Sequence, residues 1–363
     1  MVSPAIPQLS ILILIMDFLC YPDFLNSLSC RSTAASLICL VKSVPLSRSE
    51  ISTASAAVAI GNFDGVHLGH QALLRSLCSH AASHGEIPCA LTFEPHSKEF
   101  FAPEKAPCRI STLRDKADAI ASCGIEKLFF AHFSGRMASL SAEQFVKEIL
   151  VDRLHASFVT VGSNFTFGQD GKAGPDDLVR IGAKYGIEVS AKDLIVKDNE
   201  NISSTRLRAA LAAGDLKEAE RLLGRPYCMS GRVVHGEHLG HTLGFPTLNL
   251  RPVPPGCHAQ PALTGVFAVM VSGIVPGKEL PGVTSLGNRP SIGGNLQFTC
   301  ETNLLDWTGD AYGKLIRVRF VEKLRDNKRF SDLDELIAAI HNDAIRARRI
   351  FGLSIEAGGA PVA

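Results

Sequence analysis

From residue 56 onwards, short apolar runs alternate with longer stretches whose apolar positions recur every three or four residues. The runs at 56–60, 90–93, 127–131, 158–161 and 187–190 have the length and apolar content of buried strands. Between them, residues 71–84, 113–123, 141–153 and 175–185 carry helical spacing. Strands alternating with helices at these lengths predict a parallel sheet covered on both faces. Such sheets bind ligands beyond the carboxyl ends of their strands. Two more helical segments, 204–213 and 216–223, close this half.

After Pro226 the pattern changes. Segments 227–235, 265–273, 280–286, 296–303 and 314–323 are rich in Val, Ile, Phe and Thr and are punctuated by Gly and Pro. That spacing predicts a small antiparallel β-barrel, followed by a C-terminal helix over 333–350. The expected organisation is an α/β domain with a Rossmann-like parallel sheet at 54–225, a barrel domain at 226–352 and a tail at 353–363. Residues 1–53 differ from both domains. Up to Ile51 the charges are Asp17, Asp23, Arg31, Lys42, Arg48 and Glu50 alone. The apolar run at 11–16 stops at Asp17, short of the roughly 20 residues that span a bilayer. No basic residue precedes it, as a secretory signal would require. The expectation for 1–53 is a charge-poor, poorly ordered extension.

Composition narrows the function classes. The 363 residues suffice for two domains, and 37 Lys plus Arg against 36 Asp plus Glu leave a net charge of +1. That balance argues against a nucleic-acid partner held by a general basic field. Ten cysteines are scattered from Cys20 to Cys300 with no CxxC pair. In a chain of this length they read as reduced thiols, which implies a reducing compartment, the cytoplasm. An extracellular disulfide scaffold, a zinc ribbon and a collagen are excluded, and no membrane partner is expected.

The most informative stretch is GNFDGVHLGH at 61–70. It follows a strand and opens a helix. Gly61, Gly65 and Gly69 let backbone approach a ligand closely, and the helix N-terminus offers N–H groups to an anion. His67 and His70 lie three apart on the first turn and can both donate to phosphate oxygens. Taken alone, the two histidines read as exposed caps or zinc ligands; strand, glycines and helix start together favour phosphate. The loop is not of the Walker type, because the three Gly-Lys pairs precede Ala173, Glu279 and Leu315 rather than Ser or Thr. A second candidate is ISSTRLR at 202–208, where Ser204 and Thr205 stand beside Arg208 at a helix start. By itself it reads as an ordinary N-cap. Paired with the first stretch it suggests two helix N-termini around a triphosphate, a nucleotidyltransferase arrangement that needs no protein nucleophile. In the second half, Thr247 and Asn249 offer hard oxygen atoms suited to Mg²⁺, or else a turn after Pro246. The glycine-rich approach at 236–244 suits backbone contact with phosphate. Glu301 could accept a substrate hydroxyl proton, or else form a surface ion pair.

These motifs resemble a known family. GNFDGVHLGH, LTFEPH at 91–96, VGSNFTFG at 161–168 and ISSTRLR look like the FMN adenylyltransferase module of prokaryotic bifunctional riboflavin kinase/FAD synthetases. LGFPTLN at 243–249, GNRPS at 287–291, ETNLLD at 301–306 and the pair Tyr312–Gly313 are similar to the kinase module of the same family. The order is right over residues 54–352, and the leader lies outside it. The resemblance implies phosphorylation of riboflavin by ATP in the C-terminal half, then adenylylation of FMN to FAD with release of pyrophosphate in the N-terminal half. It implies Glu301 as catalytic base on the ribityl 5′-hydroxyl, with Gly244, Thr247 and Asn249 holding ATP and Mg²⁺. Around the second ATP it implies Gly61, Asn62, Phe63, His67, His70, Asn164, Ser204, Thr205 and Arg208. Phe93, Pro95, His96 and Phe101 fall in the family's flavin-side loop, where aromatic surface suits an isoalloxazine ring or equally core packing. The partners expected are therefore small molecules, with the oligomeric state left open.

Four positions depart from the family pattern. Ser97 replaces a proline of the flavin loop, His241 replaces an arginine of the kinase glycine-rich approach, Ser291 stands for Thr, and Asn303 for the His two residues after the base. The change at His241 gives up a permanent charge and weakens the expected nucleotide contact. Two rivals follow. A pantetheine-phosphate or nicotinate-type adenylyltransferase leaves the barrel unexplained. An adenylyltransferase whose barrel only binds or senses flavin fits His241 but not intact Thr247, Asn249 and Glu301.

Overall fold

The computed structural model describes residues 12–16, 42–43, 55–193, 196–197, 200–236, 245–251, 260–290 and 296–355. Contacts divide the chain into two compact units, Met1–Ala106 with Lys116–Ser203 and Pro107–Asp115 with Ser204–Ala363.

The first unit is built on a parallel sheet. Its strands are β1 (Leu12–Met16), β2 (Lys42–Ser43), β3 (Ala56–Ile60), β4 (Ile87–Glu94), β5 (Lys127–His132), β6 (Ala156–Gly162) and β7 (Glu188–Lys192). They run in the order β2-β1-β5-β4-β3-β6-β7, and every pairing is parallel. Two short strands, β8 (Val196–Lys197) and β9 (Glu200–Asn201), form a separate antiparallel pair. Within the extension, β1 and β2 prolong the sheet past β5; the other residues of 1–54 lie outside the described residues. Central β3 is buried along its whole length, as expected of an apolar run covered on both faces. Helix α1 (Leu68–His84) packs on β3 and β4 through Leu74, Leu77 and Ala81. A core of Val58, Ile60, Leu91, Val146, Ile149 and Val161 also takes in Leu178 and Ile181. The chain places β4 and β5 on one side of β3, then returns to place β6 on the other. The strand order therefore reverses between β3 and β6, and their carboxyl ends frame the crevice where sheets of this kind bind ligands.

The expected strands and helices of this half are present, with three differences. Helix α1 starts three residues earlier than its periodicity predicts, because His67 caps it. Helices α2 (Ser97–Phe101) and α4 (Gly135–Ser139) are too short to show a period; α3 (Leu113–Ala121) falls inside its expected range. The helix expected over 141–153 begins as α5 (Ala142–Gln144) and runs on as a π turn, Phe145–Val151, in which Asp152 N–H donates to Lys147 O five residues back. Helix α6 (Pro175–Lys184) completes the layer.

The second unit is a barrel. Its strands are β10 (Cys228–Arg232), β11 (Thr247–Leu250), β12 (Gly265–Ser272), β13 (Leu280–Pro290), β14 (Leu296–Leu304) and β15 (Leu315–Arg325). The order is β10-β15-β12-β13-β14-β11, antiparallel throughout. A bridge between Val234 and Asn249, with Val234 N–H donating to Asn249 O at 2.9 Å, joins the two ends of the sheet and nearly closes it. Two bulges in the β12/β15 pairing supply the bend such closure needs. Phe267, Val269, Leu286, Val318 and Phe320 fill the interior. Strand β11 is a difference from the sequence expectation, which allowed a turn after Pro246: four residues carry too little alternation to show as a strand. The unit also holds α7 (Ser204–Ala213), α8 (Leu216–Leu223) and α9 (Leu333–Ile350), whose bounds match the sequence expectation. Helix α9 docks through Ala347 and through Asp343, whose carboxylate accepts from Arg325 Nε and Nη2.

Candidate active sites

In the first unit, the loop after β3 takes an unusual path. Phe63 (φ 46°), Gly65 (φ 83°) and Val66 (φ 43°) all have left-handed backbone, and for a β-branched Val this is strained. The strain is held by burial: the Phe63 and Val66 side chains are enclosed. Gln71 Nε2 donates to Val66 O at 3.0 Å, and Thr92 Oγ1 to Asn62 O at 3.1 Å. The loop delivers His67 to the N-cap of α1, where its Nδ1 accepts from the His70 N–H at 3.3 Å. A neutral His67 ring with Nδ1 accepting carries its proton on Nε2, which makes Nε2 a donor. The rings of His67 and His70 stack with centroids 3.8 Å apart, and His70 meets Phe63 edge-on at 5.3 Å. Both end glycines pack closely against aromatic rings. A Cβ on Gly61 would lie 3.1 Å from the Phe63 ring, and one on Gly69 would lie 3.1 Å from the His67 ring. Asn62 Oδ1 is buried and accepts no hydrogen bond, an orphan that a ligand donor would satisfy.

Charge at the helix ends points the same way. Among the described helices of eight or more residues, α1 and α7 have no acidic side chain in the first turn. Helices α3, α6, α8 and α9 carry Asp115, Asp176 with Asp177, Glu218, and Asp334 with Glu335. The partial positive charge of α1 and α7 is thus not neutralised by their own acids, which suits an anion. These are the two helices that the GNFDGVHLGH and ISSTRLR stretches open.

After β6, Gly162 makes room for Asn164, whose Oδ1 would lie 3.1 Å from a Cβ there. This places Asn164 at the carboxyl end of β6, on the switch-point crevice. At the ends of β4 and β5, Phe93, Phe100, Phe101 and Phe133 form an aromatic cluster with centroid separations of 5.4 to 6.0 Å. Phe101 is 59% exposed. Phe133 was missed by the sequence reading; its place one residue beyond β5 was the available signal. His96 does a structural job here: it caps α2, its Nδ1 accepting from Lys98 N–H at 3.1 Å. Ser97 opens that helix, and Pro95 precedes its cap.

Ser204, Thr205 and Arg208 open α7, which belongs to the second unit. Arg208 Nε donates to Cys108 O at 2.6 Å.

In the barrel, the β11/β14 register sets Asn249 opposite Glu301 and Thr247 opposite Asn303. Residues two apart on a strand share a face, so Thr247, Asn249, Glu301 and Asn303 form one polar patch. Thr299 Oγ1 donates to Glu301 Oε1 at 3.0 Å, a contact the sequence reading missed. Asn249 Nδ2 donates to Thr247 O at 3.3 Å. A Cβ on Gly236 would fall 2.5 to 2.9 Å from three Asn249 side-chain atoms, so the glycine is what lets the amide lie there. Asn303 Nδ2 donates to Pro246 O at 2.8 Å, which ties the start of β11. Beside the patch, His235 and Tyr312 stack at 3.9 Å. Gly244, His241 and Ser291 lie outside the described residues. Behind the strand, burial pushes the Cys300 thiol up to about 11, and the six described cysteines are free thiols.

Two family models match the chain, FAD synthetase over residues 49–206 and riboflavin kinase over 223–351. A protein named bifunctional riboflavin kinase/FMN adenylyltransferase from Escherichia coli K12 is 41% identical over 297 residues, covering 82% of this chain and 93% of its own. The protein of that name from Pseudomonas fluorescens is 42% identical over 295 residues, covering 80% and 91%. A solved structure described as a macrolide-efflux protein from Streptococcus pneumoniae is 30% identical, covers 82% of this chain and 96% of its own, and has a TM-score of 0.64. Among the described residues no helix is long and apolar enough to cross a membrane.

Proposed function

The chain belongs to the bifunctional riboflavin kinase/FMN adenylyltransferase family, and from that premise we propose how its own residues carry the two reactions. It is a transferase that phosphorylates riboflavin to FMN and adenylylates FMN to FAD, each time with ATP. The proposed functional limits are 54–225 for the adenylyltransferase and 226–352 for the kinase. The observation that carries the kinase half is the register pairing of Asn249 with Glu301 on neighbouring strands. In this reading the Glu301 carboxylate, steadied by Thr299, accepts the proton of the ribityl 5′-hydroxyl as that oxygen attacks the γ-phosphorus of ATP and ADP leaves. The hydroxyl of Thr247 and the amide oxygen of Asn249, whose amide Gly236 leaves room for, are neutral hard donors that would hold Mg²⁺. When bound, that cation would neutralise charge on the β- and γ-phosphates. Gly244 would approach the same phosphates.

The adenylyltransferase needs no protein nucleophile. A phosphate oxygen of FMN attacks the α-phosphorus of ATP, and pyrophosphate departs. Donors held ready for the charge that moves onto pyrophosphate are worth most where they need no reorganisation. Those proposed are His67 and His70, the α1 N-terminus, Ser204, Thr205 and Arg208, with Gly61, Asn62, Phe63 and Asn164 around the nucleotide. The exposed ring of Phe101, with Phe93 beside it, would meet the flavin. Pro95 and His96 would shape the loop that presents it. The cytoplasm is proposed as the site of action, on the scattered spacing of the ten cysteines with no CxxC pair.

The test is direct. Purified full-length protein is incubated with riboflavin and Mg·ATP, and the flavins are resolved by chromatography. Accumulation of FMN and FAD is expected; the absence of both would overturn the reading. FAD formed from supplied FMN but not from riboflavin would leave the barrel as a flavin-binding module.

A further inference from the structure

Residues 107–115 fall inside the adenylyltransferase half of the sequence, yet they belong to the same compact unit as the barrel. This strap is fixed to the barrel at three points. Arg109 bridges Pro261 in parallel: its N–H donates to Gln260 O at 2.7 Å, and Ala262 N–H donates to its carbonyl at 2.8 Å. The Ile110 carbonyl accepts from the Tyr227 hydroxyl at 2.7 Å, and the Tyr227 ring is buried against Phe320 of β15 with centroids 5.4 Å apart. The Asp115 carboxylate accepts from Ser230 N–H at 2.8 Å and Ser230 Oγ at 2.7 Å, on β10, and from Thr112 Oγ1 at 2.6 Å. So anchored, the strap presents the Cys108 carbonyl to Arg208 Nε.

A guanidinium on its long stem loses much rotamer freedom when it must meet a ligand, and prior fixation reduces that loss. A bond at Nε sets the plane of the fork. We infer that the strap is a positioning device for Arg208, so that kinase-half residues, Tyr227 foremost, set how well the adenylyltransferase holds ATP. Tyr227 touches neither nucleotide in this scheme and acts only through Ile110, Cys108 and Arg208. The inference rests on the reading of Arg208 as a phosphate-binding residue.

The experiment uses the full-length chain and assays each reaction separately, FMN to FAD and riboflavin to FMN. Arg208→Ala raises the KM for ATP in adenylylation. Tyr227→Phe deletes one hydrogen bond and keeps the ring, and Asp115→Asn weakens the third anchor without changing its shape. Each is expected to raise that same KM about three- to tenfold, the range for one lost hydrogen bond, with kcat held and riboflavin phosphorylation unchanged. In an Arg208→Ala background, Tyr227→Phe should add nothing further. An unchanged KM in both strap variants overturns the inference. So does an equal fall in both activities, which would mark the strap as structural only, or a Tyr227→Phe effect that persists without Arg208. An Arg208→Ala protein with unaltered KM removes the premise instead, a failure distinct from the strap's.

Discussion

The stretch from Gly61 to His70 and the strand pair carrying Asn249 and Glu301 are both expected to serve ATP, yet they are made of different materials. The first is backbone: three left-handed residues, two glycines packed against aromatic rings, and a helix end without acids of its own. The second is side chains, set opposite one another by strand register and suited to a cation. A helix end and its N–H groups stabilise an anion without a metal contributed by the loop, whereas a patch of neutral oxygens around one carboxylate needs a cation to hold phosphate. If both proposed assignments hold, one chain meets the same triphosphate twice without repeating a motif.

The comparison breaks most sharply at Glu301. Glu301→Ala should lower FMN formation by about three orders of magnitude, the scale of a lost general base, with FAD formation from supplied FMN unaffected. Equal loss in both assays would mean that the sites are not separate. The converse variant, His70→Ala, should cost FAD formation about a hundredfold, as for one donor to developing charge, and leave riboflavin phosphorylation intact. A smaller contrast lies in the glycines. Gly236→Ala forces the Asn249 amide to move, since a Cβ meets it at 2.5 Å, whereas Gly69→Ala only crowds the His67 ring at 3.1 Å. Gly236→Ala is therefore expected to raise the kinase KM for ATP about tenfold, near the worth of one displaced polar contact. Gly69→Ala should raise the adenylyltransferase KM by less; the reverse ranking would contradict the steric argument.

The two sites also differed in how much of them could be read in advance. The His67–His70 site is nearly contiguous in sequence, so its glycines, strand and helix start are visible as one pattern. What stayed hidden was conformational, the left-handed Phe63 and Val66, because neither residue type advertises that geometry. The barrel site is joined by register across more than fifty residues, and no local spacing links Asn249 to Glu301. Thr247 and Asn249 offer hard oxygens on sight, but nothing local separates that reading from a turn after Pro246, and only the family resemblance favoured it. Thr299 needed only the rule that alternate strand residues share a face, applied to Glu301. The strap at 107–115 was illegible for a third reason. Its partners, Tyr227 and Ser230, are more than a hundred residues away, and its own sequence looks like the approach to α3.

The last and smallest effect separates a helix end kept open from one that is closed. Helix α1 begins with no acid, whereas α9 begins with Asp332 as cap and Glu335 in its first turn. The Glu335 carboxylate accepts from the Ser331 N–H at 2.9 Å, from Ser331 Oγ and from Lys328 Nζ, and these bonds, the backbone one foremost, hold its pKa down at about 2 against an ordinary 4.5. A folded-state pKa below the unfolded one stabilises above the unfolded value, and the benefit is lost as pH falls through the folded value. Acidification from 4.5 towards 2 should therefore loosen the first turn of α9. The group is exposed, so the loss should appear as faster exchange of the Ser331 amide that the carboxylate holds and not as global unfolding. Glu335→Gln should remove the pH dependence of that exchange. The first turn of α1 has no carboxylate to titrate and should show no such change in this window. A matching loosening at Leu68–His70 would mean that the contrast in helix-end charge does not govern either site.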